Sequence, residues 1–209
     1  MRLLILAATF AALSLVSTVT SQQVSGGVDP DRRSSTLMIA TDRSELLAGV
    51  AISYTPAIWQ ESYDGLVEQP KAVPYTRLGK GWWATFETVG PLEIGGTKIE
   101  PGSYYLGLAV DKGGSFSLLV LDSKLAMKSG LLPGTTALYR GQVKAEARVP
   151  LALAKGSQKA VVAKLEIEIT ADKKDPATGR FSIRWGKHEL SAPVRFHLAL
   201  VNAIPDAKR

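Results

Sequence analysis

The chain has 209 residues, 45% of them apolar and 21% charged, enough to bury one full hydrophobic core. Its formal charge of +6 comes from scattered lysines and arginines, with Arg32-Arg33 and Lys173-Lys174 as the longest basic runs, which excludes the clustered basic face of a nucleic-acid binder. It contains no cysteine, which excludes disulfides, a thiolate nucleophile and thiolate metal sites.

Residues 1–21 read as a secretory signal: Arg2 supplies the positive start, Leu3 to Val16 an apolar run, and Val19 and Ser21 the small residues at a cut before Gln22. The run is short of the roughly 20 residues that a spanning anchor needs, so no membrane span is expected after the cut. Residues 22–35 are polar and read as a flexible leader. Thr36 to Ala40 is a first strand, and Thr41-Asp42 followed by Glu45 predicts a capped helical turn over Arg43 to Leu47. Ala48 to Thr55 is a strand that stops at Pro56.

Residues 56–81 hold Pro56, Gly65, Pro70, Pro74, Gly79 and Gly81 and show no period. They read as a long loop, packed down as a flap by Trp59, Tyr63 and Tyr75. Trp82, Ala84 and Phe86 then alternate in a strand. Leu92 to Leu121 carries two Gly-Gly hairpin signals and a Pro101-Gly102 turn. Tyr104 to Val110 and Phe116 to Leu121 are apolar at almost every position, as strands covered on both faces are.

Asp122 can cap a short helix over Ser123 to Ser129, ended by Gly130 and Pro133-Gly134. Ala137 to Leu153 reads as extended. Val161, Ala163, Leu165, Ile167 and Ile169 share one face of a strand, with Lys164, Glu166 and Glu168 on the other. After a polar turn at 172–179, Phe181, Ile183 and Trp185 alternate to a tight turn at Gly186-Lys187, and His188 to Leu198 returns. Residues 199–209 are a tail, leaving 36–198 as a single domain. About nine or ten short strands with one or two short helices predict an all-β antiparallel sandwich or jelly roll.

Three stretches resemble a known family. Ile94-Gly-Gly-Thr-Lys-Ile-Glu-Pro-Gly-Ser-Tyr104 with its hairpin to Leu121, Phe181-Ser-Ile-Arg-Trp-Gly-Lys-His-Glu-Leu-Ser-Ala-Pro-Val-Arg-Phe196, and Ala51-Ile-Ser-Tyr54 are similar to the bacterial secreted domain of unknown function 2911. The resemblance covers residues 45–198. The family carries a Trp-Arg-Thr-Gly-Ala-Asn segment before its central strand; here Lys80-Gly-Trp-Trp-Ala-Thr-Phe86 lacks the Arg and the Asn. The family's name implies no activity.

Chemistry is sparse. His188 faces Trp185 across the Gly186-Lys187 turn, either packed on it at the edge of the core or lining a site. His197 alternates with Phe196 and Leu198 and points outward. Two histidines with no His-x-x-x-His pair give no zinc site, and no Gly-x-Ser-x-Gly elbow marks a serine nucleophile. Glu166 and Glu168 share a strand face at a separation that suits glycoside hydrolysis, roughly 5–10 Å, but any solvated strand face looks the same. Asp172 and Asp175 in one turn could hold calcium, but two loop acids are a weak signal for it. The aromatics carry more: Trp82 and Trp83, adjacent in a strand, point to opposite faces, so one is left to stack a ligand or to lie under the flap.

The expectation is an exported, non-catalytic binding or interaction module of the cell envelope or medium, without metal or cofactor. Its ligand-binding candidates are Trp82, Trp83, Tyr75, Trp59 and His188, and a glycan or envelope polymer suits such a surface. The competing classes are a hydrolase of cell-surface polymers and a purely structural envelope component.

Overall fold

The computed structural model describes residues 29–69, 71–131, 144–154 and 161–200. The signal, the leader up to residue 28, the Pro133-Gly134 helix stop and the tail from residue 201 lie outside them. The elements run β1 (Arg33–Ala40), β2 (Leu46–Tyr54), a 3-10 turn (Glu61–Tyr63), α1 (Asp64–Glu68), β3 (Val73–Arg77), β4 (Ala84–Thr88), β5 (Leu92–Ile94) and β6 (Thr97–Ile99). They continue with β7 (Gly102–Val110), β8 (Phe116–Asp122), α2 (Ser123–Lys128), β9 (Ala147–Leu153), β10 (Val162–Ala171), β11 (Thr178–Gly186) and β12 (His188–Phe196). The fold is all-β, one twelve-stranded sheet in which nine strands run in the order β1-β2-β4-β7-β8-β9-β12-β11-β10, β3 pairs with β7, β5 with β12 and β6 with β5, every pairing antiparallel. Among the described residues no helix is long and apolar enough to cross a membrane.

The β7–β8 hairpin sits mid-sheet, as its unbroken apolar runs require. Its alternate residues feed two cores. Tyr104, Leu106, Leu118 and Val120 face the main core inside the curled sheet. Tyr105, Ala109, Leu119 and Leu121 face outward into a second cluster with Trp83, covered by Ala126 of α2 and by Leu131. Asp122 caps α2 by accepting the Leu125 N–H at 2.8 Å, and Gly130 ends it with φ +82°. The two-residue β5–β6 turn uses Gly95 and Gly96 at φ +58° and +76°, the region that Asn and Gly alone enter readily.

The sheet curls until its end strands β1 and β10 lie side by side without pairing as a ladder. Side chains close the seam. The Tyr54 hydroxyl accepts the Ile167 N–H at 2.9 Å, Lys164 pairs with Asp31 at 2.9 Å, and Arg33 lies 3.8 Å from Glu166.

Several local expectations change. The first strand begins at Arg33, three residues before Thr36, because the leader's end packs on β10 through Asp31. Residues 43–47 form no helical turn. Thr41 Oγ1 does accept the Arg43 and Glu45 N–H groups, at 3.3 and 3.2 Å, but Ser44 takes φ +63° and the chain reverses into the β1–β2 hairpin. Capping chemistry serves a turn as readily as a helix. Residues 56–81 are not a structureless loop: they hold a helical turn, α1 and β3. Strand β3 pairs with the C-terminal half of β7, beyond the reach of β4. The strand expected from Trp82 begins at Ala84.

Candidate functional site

The site forms where the flap meets the β11–β12 turn. After Pro56 the chain leaves β2 and lies along the edge of β10: the Trp59 N–H reaches the Ala163 carbonyl and the Leu165 N–H reaches the Ala57 carbonyl, both at 2.8 Å. This fixes Trp59 over the turn. Gly186 has φ +61°, and the Trp59 indole lies directly on it. The two-residue turn pairs Trp185 with His188, so both rings project to the same place.

Four rings gather there. Trp59 meets Trp185 edge-on at 5.1 Å between centroids and Tyr63 at 5.8 Å, Tyr63 meets Trp185 at 4.8 Å, and His188 lies 5.5 Å from Trp59. The Trp185 indole N–H donates to the Ala57 carbonyl at 3.1 Å. Such edge and tilted contacts are the arrangements that the ring quadrupole favours.

A charged clasp holds α1 to the turn. His188 Nε2 lies 2.8 Å from Asp64 Oδ1, and the Lys187 ammonium lies 3.3 Å from Asp64 and 2.9 Å from Glu68. The hydrogen bond to His188 is the largest cause that holds the Asp64 carboxyl below the usual carboxylate range; burial opposes it, and the hydrogen bond to Lys187 adds to the lowering. The same contacts, Glu68 first, raise the Lys187 ammonium. Ligand atoms of Asp64, Glu68 and His188 lie within 4.8 Å of one another, the outline of a metal site. The Lys187 ammonium bridges its two carboxylates, so the protein supplies its own cation there.

Beneath the flap lies a cavity of about 410 Å³. Leu108, Val110, Phe116, Leu165, Ile183 and Leu190 form its apolar wall. Trp59, Tyr63, Lys71 and Arg77 of the flap line it too, with Trp185 and His188 of the β11–β12 turn. Compared with known proteins, the chain matches no family model, no curated protein and no solved structure. The cavity's own chemistry is therefore what speaks for its use.

Of the expected ligand-binding residues, Trp59 and His188 line this cavity. Trp83 lies on the opposite side of the sheet, 2% exposed, against Tyr105 and Gly107. Its indole Nε1 is buried and finds no hydrogen-bond partner among the described residues. Trp82 is 57% exposed in the turn before β4 and is not among the cavity's lining residues. Tyr75 is on β3, and its side chain lies outside the described ones. The Glu166 and Glu168 pair is bound by Arg184, at 2.9 and 3.5 Å, as a solvated ion network. His197 pairs with Glu93 at 3.0 Å on the surface. Asp172 and Asp175 accept backbone N–H groups within their own turn.

Sequence reasoning missed Asp64, Glu68 and Lys187 as a unit and did not join Tyr63 to Trp185. The i, i+4 spacing of Asp64 and Glu68 was a usable signal, since it puts both carboxylates on one helix face.

Proposed function

We propose that this protein is a non-catalytic binding module that encloses a small, largely apolar ligand between its flap and the inner face of its sheet. One observation carries the reading: the cavity falls in the roughly 300–1,000 Å³ range of ligand sites and has their composition, apolar and aromatic walls with a few polar groups. The clasp supports it, because the cover over the cavity is held by ion pairs and rings that can part and re-form. The surroundings of His188 favour binding over turnover: its Nε2 faces a carboxylate that is itself held by Lys187. Trp82 supports a separate glycan contact only as an isolated exposed ring.

The proposal extends to setting. The apolar run after Arg2 supports export by way of a cleaved signal, and protein recovered outside the cytoplasm should begin at Gln22. An intact Met1 on membrane-bound protein would count against export. Membership of the secreted family that it resembles belongs to the same proposal.

The test is titration of the full chain with an uncharged solvatochromic naphthalene dye, read by dye emission and by quenching of Trp59 and Trp185. Saturable one-to-one binding is expected, unchanged in Trp82→Ala and lost in Leu108→Trp, which fills the cavity. No saturable binding, or equal loss in both variants, would refute the reading.

A further inference from the structure

The cavity is chemically lopsided. Its wall is aliphatic and aromatic, yet the charged or chargeable residues that line it are Lys71, Arg77 and His188, all potential cations. No carboxylate lines it among the described residues. Asp64 and Glu68 stand close by but face away into the clasp, where Lys187 and His188 hold them. Lys71 is exposed and makes no ion pair with any described residue, which puts an uncompensated positive charge at the open end. Arg77 is half-buried on β3 and keeps an interaction of its own.

A site with an apolar body and a cationic, still hydrated end discriminates by charge. A neutral ligand fills the body and leaves the end to water. A cationic one places like charges together, and an anionic one gains charge-assisted hydrogen bonds at a point where it need not be fully desolvated. Resting on the binding reading above, we infer that the ligand is an amphipathic anion: a compact aliphatic or aromatic body seated against Leu108, Phe116 and Leu190, with a carboxylate directed to Lys71 at the mouth. Arg77 and His188 also line the cavity.

The experiment is displacement of the uncharged dye from the full chain by decanoate, decanol and decylamine, three probes with the same chain and different heads. Decanoate should bind about tenfold or more tightly than decanol, the size of one or two hydrogen bonds to a charged group. Decylamine should bind more weakly than decanol. Lys71→Gln, an exposed site that leaves the fold alone, should bring decanoate toward decanol and leave decanol within about twofold. Raising the salt should weaken decanoate alone. If decanol or decylamine displaces the dye as well as decanoate does, or Lys71→Gln leaves decanoate unchanged, the anion assignment is overturned while the cavity remains a binding site. If the dye itself does not bind, the binding reading fails, and the assignment with it.

Discussion

The contact between Gly186 and Trp59 makes the sharpest prediction about the site. A Cβ built on Gly186 would stand 2.3 Å from Trp59 Cε2 and 2.5 Å from Cδ2, far inside the roughly 3.5–4.0 Å at which carbons attract. The β11–β12 turn cannot move away, because Trp185 and His188 are paired across it and both pack in the cluster, so the indole must leave. Gly186→Ala therefore has two costs. Its φ of +61° is strained for an L-residue by about 1–2 kcal/mol. Expelling Trp59 forfeits its contacts with Trp185 and Tyr63, about 0.5–1.5 kcal/mol each. Together they make about 2–5 kcal/mol. In a Trp59→Ala background only the backbone term remains, about 1–2 kcal/mol. Urea unfolding of the four proteins of this cycle gives the coupling directly, expected at about 1–3 kcal/mol. Dye binding should fall in both single variants, because Trp59 lines the cavity. Equal cost of Gly186→Ala in both backgrounds would mean that the indole does not lie on the turn, and the account of the flap would fail.

The two adjacent tryptophans should behave oppositely: Trp83→Ala loses about 3–5 kcal/mol in thermal or urea unfolding, and Trp82→Ala changes stability by no more than about 0.5 kcal/mol. Leu118→Ala in the main core should cost about 2–5 kcal/mol, and a loss under about 0.5 kcal/mol would contradict the two-cored hairpin. The clasp has a defined pH window. Asp64 titrates below its ordinary value in the folded chain, so its contribution is present above about pH 4 and is lost as the pH falls through its lowered folded value. Hydrogen exchange of residues 61–68 should be faster in Asp64→Asn than in the natural chain at pH 7, and the two should converge only once the pH has fallen below the lowered folded value of Asp64; a gap that persists below it would assign the protection of α1 to its rings instead of its charges.

What the sequence disclosed is tied to short range. The β7–β8 hairpin and the Trp185–His188 pairing were legible because a short turn sets the register, and register decides which side chains meet. That both faces of the hairpin are covered was also readable, though not by what: α2 and Trp83 cover the outer one. The flap resisted reading because its partners are remote. Asp64 and His188 are 124 residues apart, and neither Tyr63 nor Trp185 announces the other. The tryptophan pair was half legible. That the two rings part follows from geometry, but which one turns inward depended on β4 starting at Ala84 and on Gly107 leaving room for the Trp83 ring on the neighbouring strand.

The seam between β1 and β10 bears on how the molecule tolerates its own company. A nearly closed sheet still has two edges, and an edge is where another copy adds a strand. Here the early part of β10 is taken by residues 57–59, the Ile167 amide is held by the Tyr54 hydroxyl, and Asp31, Arg33, Lys164 and Glu166 crowd the same line with charge. The Tyr54 hydroxyl is thus one of several groups that close this edge, and the one that satisfies a buried peptide group. Tyr54→Phe would keep the ring and leave the buried Ile167 amide without its acceptor, so the seam itself would weaken, by about 1–3 kcal/mol in urea unfolding.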